Sequence, residues 1–150
     1  MEEEFYHKDI FGAVVDISHS EEEVSDAVKA ASAGKGDFAL VFAFTDAIGE
    51  RRKKDAWVLY QKLLQGGMVS EQLFYKAVWI VKTMLLAKRT ESYKETDMKE
   101  YPYKKAKSFL RNWKAGELED LSEAFVIGYH KARRGEGEIE TMLEKIILNL

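Results

Sequence analysis

Apolar positions in the middle of the chain recur at the three- and four-residue spacing of amphipathic helices. After Gly49, apolar residues between Ala56 and Leu64 alternate with lysine and glutamine in this way, and a longer apolar series begins after Ser70. The longer series is apolar over so wide an arc that it needs cover on more than one side, which predicts a central helix. The short glycine-marked turn at Gly66-Gly67 predicts that the two helices pack as an antiparallel or crossed pair.

Two further helices are predicted before this pair. Ser20 and Glu23 have the form of a capping box, and the light helix that they begin should stop between Gly34 and Gly36. The run from Phe38 to Phe44 is nearly all apolar, so periodicity alone does not separate a strand from a buried helix. The DAIG that follows favours a helix, ending at Gly49.

The C-terminal half predicts three more helices. Pro102 is placed to open one at its first position, with Gly116 as its end, and a basic run at Arg133 to Gly135 suits the C-terminus of the next. The last helix covers Ile139 to Leu150, and the polar stretch Lys88 to Glu100 is predicted as an exposed linker, where any hinge would lie. The residues at core spacing in the first two of these helices are Ala106, Phe109, Leu110 and Trp113, then Leu118, Leu121, Ala124, Phe125, Ile127 and Gly128.

These elements predict an all-α fold in which residues 20–150 form a single bundle of about six or seven helices. Residues 1–19 are set apart as an N-terminal arm, in which the apolar start from Ile10 to Ile17 could pack as a strand, a helix or a partner-binding arm. With 150 residues, the chain is the size of one ordinary domain.

The composition indicates the cellular compartment and the kinds of partner that the chain could bind. The chain has no cysteine, which suits a reducing compartment, and its acidic N-terminus is unlike a secretory signal, so we expect a cytoplasmic protein without a membrane anchor. Its net charge is −3, but residues 51–114 hold 16 Lys/Arg against 6 Asp/Glu while both flanks are acidic. Such asymmetry could serve internal pairing, subunit docking or attraction to phosphate, and the overall acidity argues against a dedicated nucleic-acid binder.

No pattern in the sequence predicts catalysis, a cofactor or a metal. His7, His19 and His130 are far apart, and none has a second ligand at a metal-binding spacing. The glycines form neither of the common phosphate-binding loops, and no nucleophile elbow is present. We therefore expect a non-catalytic protein, since an enzyme would need a pocket of convergent polar groups that the sequence does not indicate.

A nucleic-acid-binding face is the alternative hypothesis. Residues 93–114 interleave aromatic side chains with basic ones, as single-strand-binding surfaces do. On a helix, however, the aromatic and basic residues separate into an apolar core side and a basic solvent side. The candidate phosphate contacts are Lys104, Lys105, Lys107 and Arg111.

The chain also resembles a known family, the bacterial DNA polymerase III delta subunit, in its C-terminal helical domain. The segments that carry the resemblance are FAFTDAIGERRKKDAWVLYQKLLQGGMVSEQLFYKAVWIVKTMLLAKR, YPYKKAKSFLRNWKAGELEDLSEAF and YHKARRGEGEIETMLEKIILNL, with SHSEEEVSDAV upstream. They are similar to the family's Asp-Ala helix, charged turn, Gly-rich turn and long apolar helix, then its Pro-led basic helix and its closing basic-Gly pattern. The resemblance covers about residues 20 to 150.

Two departures limit what the resemblance implies. The family usually has an acidic residue shortly before the basic-Gly turn, where this chain has Tyr129 and His130. The family's N-terminal ATPase-like domains, which touch the clamp and DNA, have no counterpart in these 150 residues. The resemblance is therefore to the collar that holds the subunits of the sliding-clamp loader together.

From this resemblance we expect an oligomerisation module of the DNA replication machinery, without ATP hydrolysis or polymerisation of its own. Its partners would be clamp-loader subunits or a second copy of the chain, joined through apolar helix faces with charged rims, and any DNA contact would be weak. The candidate anchors, each also a candidate for the core, are Trp57, Tyr60, Phe74, Tyr75 and Trp79.

Overall fold

A computed structural model describes residues 37–150 continuously, and before them residues 6–8, 14–16 and Val28. The helices in residues 37–150 are α1 (Asp37–Gly49), α2 (Lys53–Gln65), α3 (Ser70–Arg89), α4 (Glu100–Phe109), α5 (Glu117–Arg133) and α6 (Ile139–Leu148). Short 3-10 helices at Tyr93–Glu95 and Leu110–Asn112 lie on either side of α4. The predicted all-α helical bundle is therefore confirmed.

The early part of the chain is described at three places. Strands β1 (Tyr6–Lys8) and β2 (Val14–Asp16) pair antiparallel, with His7 opposite Val15, so part of the segment whose conformation was left open is a strand. Val28 is helical and fully buried against the core of the bundle. The other residues of the helix predicted from Ser20, including its capping box, lie outside the described residues.

The central position predicted for α3 is confirmed. It packs against α1, α4, α5 and α6, while α2 contacts α1 and α6 and so closes the other side of the bundle. The one buried hydroxyl on α3 belongs to Thr83, and it donates to the backbone oxygen of Trp79 at 2.7 Å, which removes the cost of burying it. The buried residues of α3 are Leu73, Phe74, Ala77, Ile80, Val81, Thr83, Met84 and Ala87.

Gly49 ends α1 as predicted. A glycine is needed there because of close packing, and not because the backbone of Gly49 is left-handed. The left-handed backbone is two residues later, at Arg51, whose φ is 56°. A Cβ on Gly49 would lie 2.8 Å from Cγ of Phe109, far inside van der Waals contact. Glycine is required here because α4 passes too close for a side chain.

The segment after α3 is exposed in part, as predicted, but Tyr93 and Met98 pack against the core and the segment is held in place. Ser92 and Glu95 form a reciprocal capping box on the first 3-10 helix. From α4, the Lys107 ammonium donates to the backbone oxygens of Ala87 and Thr90, at 2.8 and 2.6 Å. These carbonyls belong to the end of α3, where they have no partner within the helix, so Lys107 caps α3 and fixes the two helices on each other. Nothing in this packing supports a hinge.

The boundaries around α4 differ from the prediction. Pro102 is the third helical residue, not the first, which is allowed because the first four amides of a helix need no partner within it. Trp113 does not continue the α4 face: it follows the second 3-10 helix with an extended backbone, and its indole donates to the Gly49 oxygen at 2.9 Å. Gly116, in the left-handed region, precedes α5 and does not end α4.

Candidate interaction surface

The five aromatic residues predicted as possible anchors divide into two groups. Tyr60 and Phe74 are buried, with 0% and 1% of their surface exposed, whereas Trp57, Tyr75 and Trp79 are 36%, 50% and 47% exposed. Tyr60 and Phe74 are therefore core residues, and the structure removes them from the candidate interface. The other three remain on the surface.

The contacts of the two buried aromatic residues explain their position. Tyr60 stacks near Phe44 with 6.2 Å between ring centroids, and its hydroxyl donates to the backbone oxygen of Glu140 at 3.0 Å. Burial of the phenol, and secondarily the carboxylates of Glu140 and Glu144, raise the pKa of Tyr60. Its ring and hydroxyl thus join α1, α2 and α6, as expected of a structural tyrosine.

Trp57 also has a partner within the molecule. Its indole nitrogen donates to the Glu144 carboxylate at 3.1 Å, which links the outer side of α2 to α6. Trp57 lines none of the grooves described below. It contributes to the packing of this chain and is a weaker candidate for an anchor than Tyr75 and Trp79.

Tyr75 and Trp79 belong to a larger surface, which we call the aromatic face: Phe38, Phe42, Tyr75, Trp79 and Tyr101. A groove of about 620 Å³ between α1 and α3 is lined by the first four of these residues. A second groove, of about 200 Å³, is lined by Phe42, Trp79 and Tyr101, so the face continues from α1 across α3 to α4. Trp79 lies at its centre.

Three members of this face were not predicted from the sequence. Phe38, Phe42 and Tyr101 are 81%, 58% and 73% exposed. The first two are four residues apart on α1, so a helical interpretation of this run places them on one side of the helix. Because the whole run is apolar, that spacing does not reveal which side of the helix the protein covers. Clustered aromatic side chains at such exposure are typical of a binding surface.

A third groove adjoins the aromatic face, and we call it the α3–α5 groove. It measures about 380 Å³, and its walls include Val78 and Lys82 of α3 and Val126 and Tyr129 of α5. Tyr75 lines both this groove and the one beside α1, so the two surfaces are continuous. The neighbouring Tyr129 hydroxyl, with a smaller effect of partial burial and the Glu71 carboxylate, raises the pKa of Tyr75 to about 12. Tyr75 is a hydrogen-bonding group at the junction, where its hydroxyl donates to the Glu71 carboxylate at 3.3 Å.

The charges that line these grooves are mainly basic. Lys76 lines the groove between α1 and α3, Lys82 lines the α3–α5 groove, and Lys82 and Arg89 line a fourth groove, of about 570 Å³, along the outer side of α3. Among the described residues, no carboxylate lines these three grooves, although Glu71 accepts from the Tyr75 hydroxyl at their junction. In the part of the chain that the structure describes, the carboxylate lining the smaller groove beside α4 is Asp46, which is paired with Lys105 at 2.7 Å. The surface is thus apolar with a basic rim.

The alternative nucleic-acid face has fewer available cations than its sequence suggested. Lys104 pairs with Glu100 at 2.5 Å, Lys105 pairs with a carboxylate of α1 at 2.7 Å, and Lys107 caps α3 as described above. Arg111 is exposed, and it forms no ion pair with the part of the chain that the structure describes. Lys105 and Lys107 are therefore engaged in the fold, while Lys104 is held only by an ion pair on the surface.

Within the described residues, no group of three or more histidine, cysteine, aspartate or glutamate side chains could hold a metal ion. His130 is exposed on α5 and meets the Tyr129 ring edge-on at 6.0 Å, His7 lies in β1, and His19 lies outside the described residues. The α-helices in the described ranges are also too short or too polar to cross a membrane.

The class of protein that this geometry defines is an all-α helical bundle with an exposed aromatic face. The chain matches no protein-family model, and comparisons with curated proteins and with solved structures likewise gave no match.

Proposed function

We propose that this chain is a non-catalytic helical module that joins subunits, with a role similar to that of the collar domain of the DNA polymerase III delta subunit in the sliding-clamp loader. The observation that carries the proposal is the aromatic face on α1, α3 and α4. The sequence resemblance over about residues 20 to 150 supplies the assignment to DNA replication.

The mechanism would be burial of this face against helices of a neighbouring subunit. Trp79 and Tyr75 have the amphipathic character of interface anchors, and Phe42 beside them supplies apolar area. The free energy would come mainly from removing these rings from water, at roughly 25 cal/mol for each Å² of apolar surface. The basic rim would govern the rate of association and the choice of partner more than the affinity.

The proposal is tested by mixing the purified chain with the ATPase subunits of a bacterial clamp loader, preferably from the same source, and measuring complex formation by native mass spectrometry and calorimetry. The variant Phe42→Ala/Trp79→Ala should weaken association at least tenfold, since hot-spot residues each contribute about 2 kcal/mol or more. A control with similar exposure is Leu148→Ala on α6, because Leu148 and Trp79 are both 47% exposed and Leu148 lines none of the grooves. It should bind as the unchanged protein does.

Two results would overturn the proposal. A failure of the clamp-loader subunits to associate would remove the assignment to this machinery. Equal loss of binding in the Leu148 control and in the double variant would show that the aromatic face is not where subunits meet. Circular dichroism of each variant excludes unfolding as the cause of any loss.

A further inference from the structure

We propose that the α3–α5 groove, with the adjoining outer side of α3, accepts one amphipathic helix of a partner protein whose apolar stripe is flanked by carboxylates. This inference rests on the proposed function and deepens it, because it specifies the chemistry of the partner. The aromatic face would provide most of the buried area, and the α3–α5 groove would determine which partner helix binds.

The shape of the groove favours a helix. Its walls are two helices that pack on each other, α3 and α5, with Phe74 and Phe125 at its lining in edge-to-face contact, 5.3 Å between centroids. Val78 and Val126 give its sides an aliphatic character. A slot between two helices, apolar along its length, takes the side-chain ridge of a third helix, as in other helix-in-groove complexes.

The length of the grooves along α3 indicates the length of the partner helix. On the outer side of α3, the grooves extend from Tyr75 to Arg89. At a rise of 1.5 Å per residue, this stretch is about 21 Å long and would match about four turns of a partner helix. Such a helix would present apolar side chains at three- and four-residue intervals.

Charge identifies the flanks of that helix. Lys82 lines both the α3–α5 groove and its continuation along α3, and it makes no ion pair with the described residues. Lys76 lines the adjoining groove between α1 and α3, and Arg89 lines the far end of the continuation along α3. Among the described residues, no carboxylate lines the α3–α5 groove or this continuation. An incoming lysine-rich helix would be repelled along this length, whereas glutamate or aspartate would be paired.

The test uses two synthetic helical peptides of about 18 residues, long enough to span the stripe. Both carry the same leucines at helical spacing, and they differ only in having glutamate or lysine at the flanking positions. Binding is followed by NMR of the isotopically labelled full chain, whose 3 tryptophans give separate indole signals. The glutamate peptide should shift the indole signal of Trp79, and leave those of Trp57 and Trp113 in place because they line neither groove.

Charge reversal provides the decisive comparison. Lys82→Glu should weaken binding of the glutamate peptide about tenfold and permit binding of the lysine peptide, which is the effect of opposed charges at an interface. Lys145→Glu, an equal change of net charge on the exposed side of α6, should leave both affinities unchanged. Val126→Ser should weaken both peptides, because Val126 lines the groove and is 55% exposed, so its replacement spares the core.

The inference is overturned if neither peptide binds, if the two bind equally well, or if Lys145→Glu acts as strongly as Lys82→Glu. A failure of this inference can be distinguished from a failure of the proposed function. Clamp-loader subunits that bind equally well to the Lys82→Glu variant would reject the groove inference alone. Peptide selectivity without any association of those subunits would reject the clamp-loader role alone.

Discussion

Gly49 lies where the end of α1 meets the end of α4, and the Phe109 ring occupies the space that a Cβ would need. The same point is tied by the Trp113 indole, which donates to the Gly49 oxygen, and by the Arg51 guanidinium, 4.6 Å from the centre of the Trp113 ring. The cost of the left-handed backbone at Arg51 is offset by these contacts and by its ion pair with Glu117 at 2.6 Å.

Replacing Gly49 by alanine should destabilise the fold by about 1–3 kcal/mol, because the new methyl group overpacks against Phe109. The measurement is the free energy of unfolding in urea. Gly66→Ala is the matched control, since Gly66 has an ordinary φ of −73° and its nearest neighbour would be 3.4 Å from the added Cβ. Equal effects of the two substitutions would contradict the close approach of α4 to Gly49.

Glu117 should contribute to a loss of stability in acid. Its carboxylate accepts from the Lys114 amide at 2.7 Å and from Arg51 at 2.6 Å, and these contacts, the amide first, lower the pKa of Glu117 below its ordinary 4.5. The unfolded chain thus binds the proton more readily, so the stabilisation is complete above the ordinary pKa and is lost as the pH falls through the lower folded value.

The corresponding measurement is the urea midpoint of the unchanged protein and of Glu117→Gln, compared at about pH 7 and about pH 3. The difference between them should be largest near neutrality and should shrink in acid. Glu123→Gln, an exposed carboxylate on the same helix, should change little at either pH. A Glu117→Gln difference that is constant with pH would rule out this role for the carboxylate.

At the scale of the helices, α3 and α4 are joined by a capping interaction that the local sequence does not predict. The Lys107 ammonium reaches back to two backbone oxygens at the end of α3, and the Tyr103 hydroxyl donates to one of them, the Thr90 oxygen, at 3.0 Å. A cation at a helix C-terminus also interacts favourably with the helix dipole. These hydrogen bonds hold α3 and α4 together, although a polar segment separates the two helices in the sequence.

Lys107→Met should therefore cost about 1–3 kcal/mol of stability, because it leaves partly buried carbonyls without a charged donor. Lys104→Met is the control on the same helix: Lys104 is paired with Glu100 on the surface, where ion pairs contribute little. Urea unfolding of both variants makes the comparison. If Lys107→Met were as mild as Lys104→Met, the capping role would be wrong.

For the whole molecule, the distribution of charge bears on the kind of partner. Of the candidate phosphate contacts, Lys105 and Lys107 are held by internal contacts, and the exposed cations Lys76, Lys82 and Arg89 of α3 border an apolar surface. Phosphate binding requires several free cations along one track. An apolar surface with a basic rim is better suited to a protein helix.

We accordingly expect single-stranded DNA to bind no more tightly than about 0.1 mM at about 150 mM salt, in the weakest range of non-specific association. Fluorescence anisotropy with a labelled oligonucleotide measures this. The Arg111→Ala variant should show the same weak binding. Tight binding that falls steeply with salt and is lost in Arg111→Ala would instead support the nucleic-acid hypothesis.

The sequence by itself determined where the helices of residues 37–150 lie and which of them is central. Helix formation depends on local spacing, so Ala56 to Leu64 and the series after Ser70 predicted α2 and α3, and the basic residues at Arg133 and Arg134 marked the end of α5. Boundaries that depend on distant neighbours, such as Trp113 leaving the α4 face, were not predictable in this way.

The tertiary structure decided which apolar and basic side chains are available. Phe74 and Tyr75 are adjacent, yet one is buried by α5 and the other is half exposed, and Lys105 is engaged only because α1 brings Asp46 to it. The apolar arcs of α1 and α3 are wider than their neighbours cover, so sequence periodicity cannot show which part stays outside. That choice is made when the helices pack, and it produces the aromatic face.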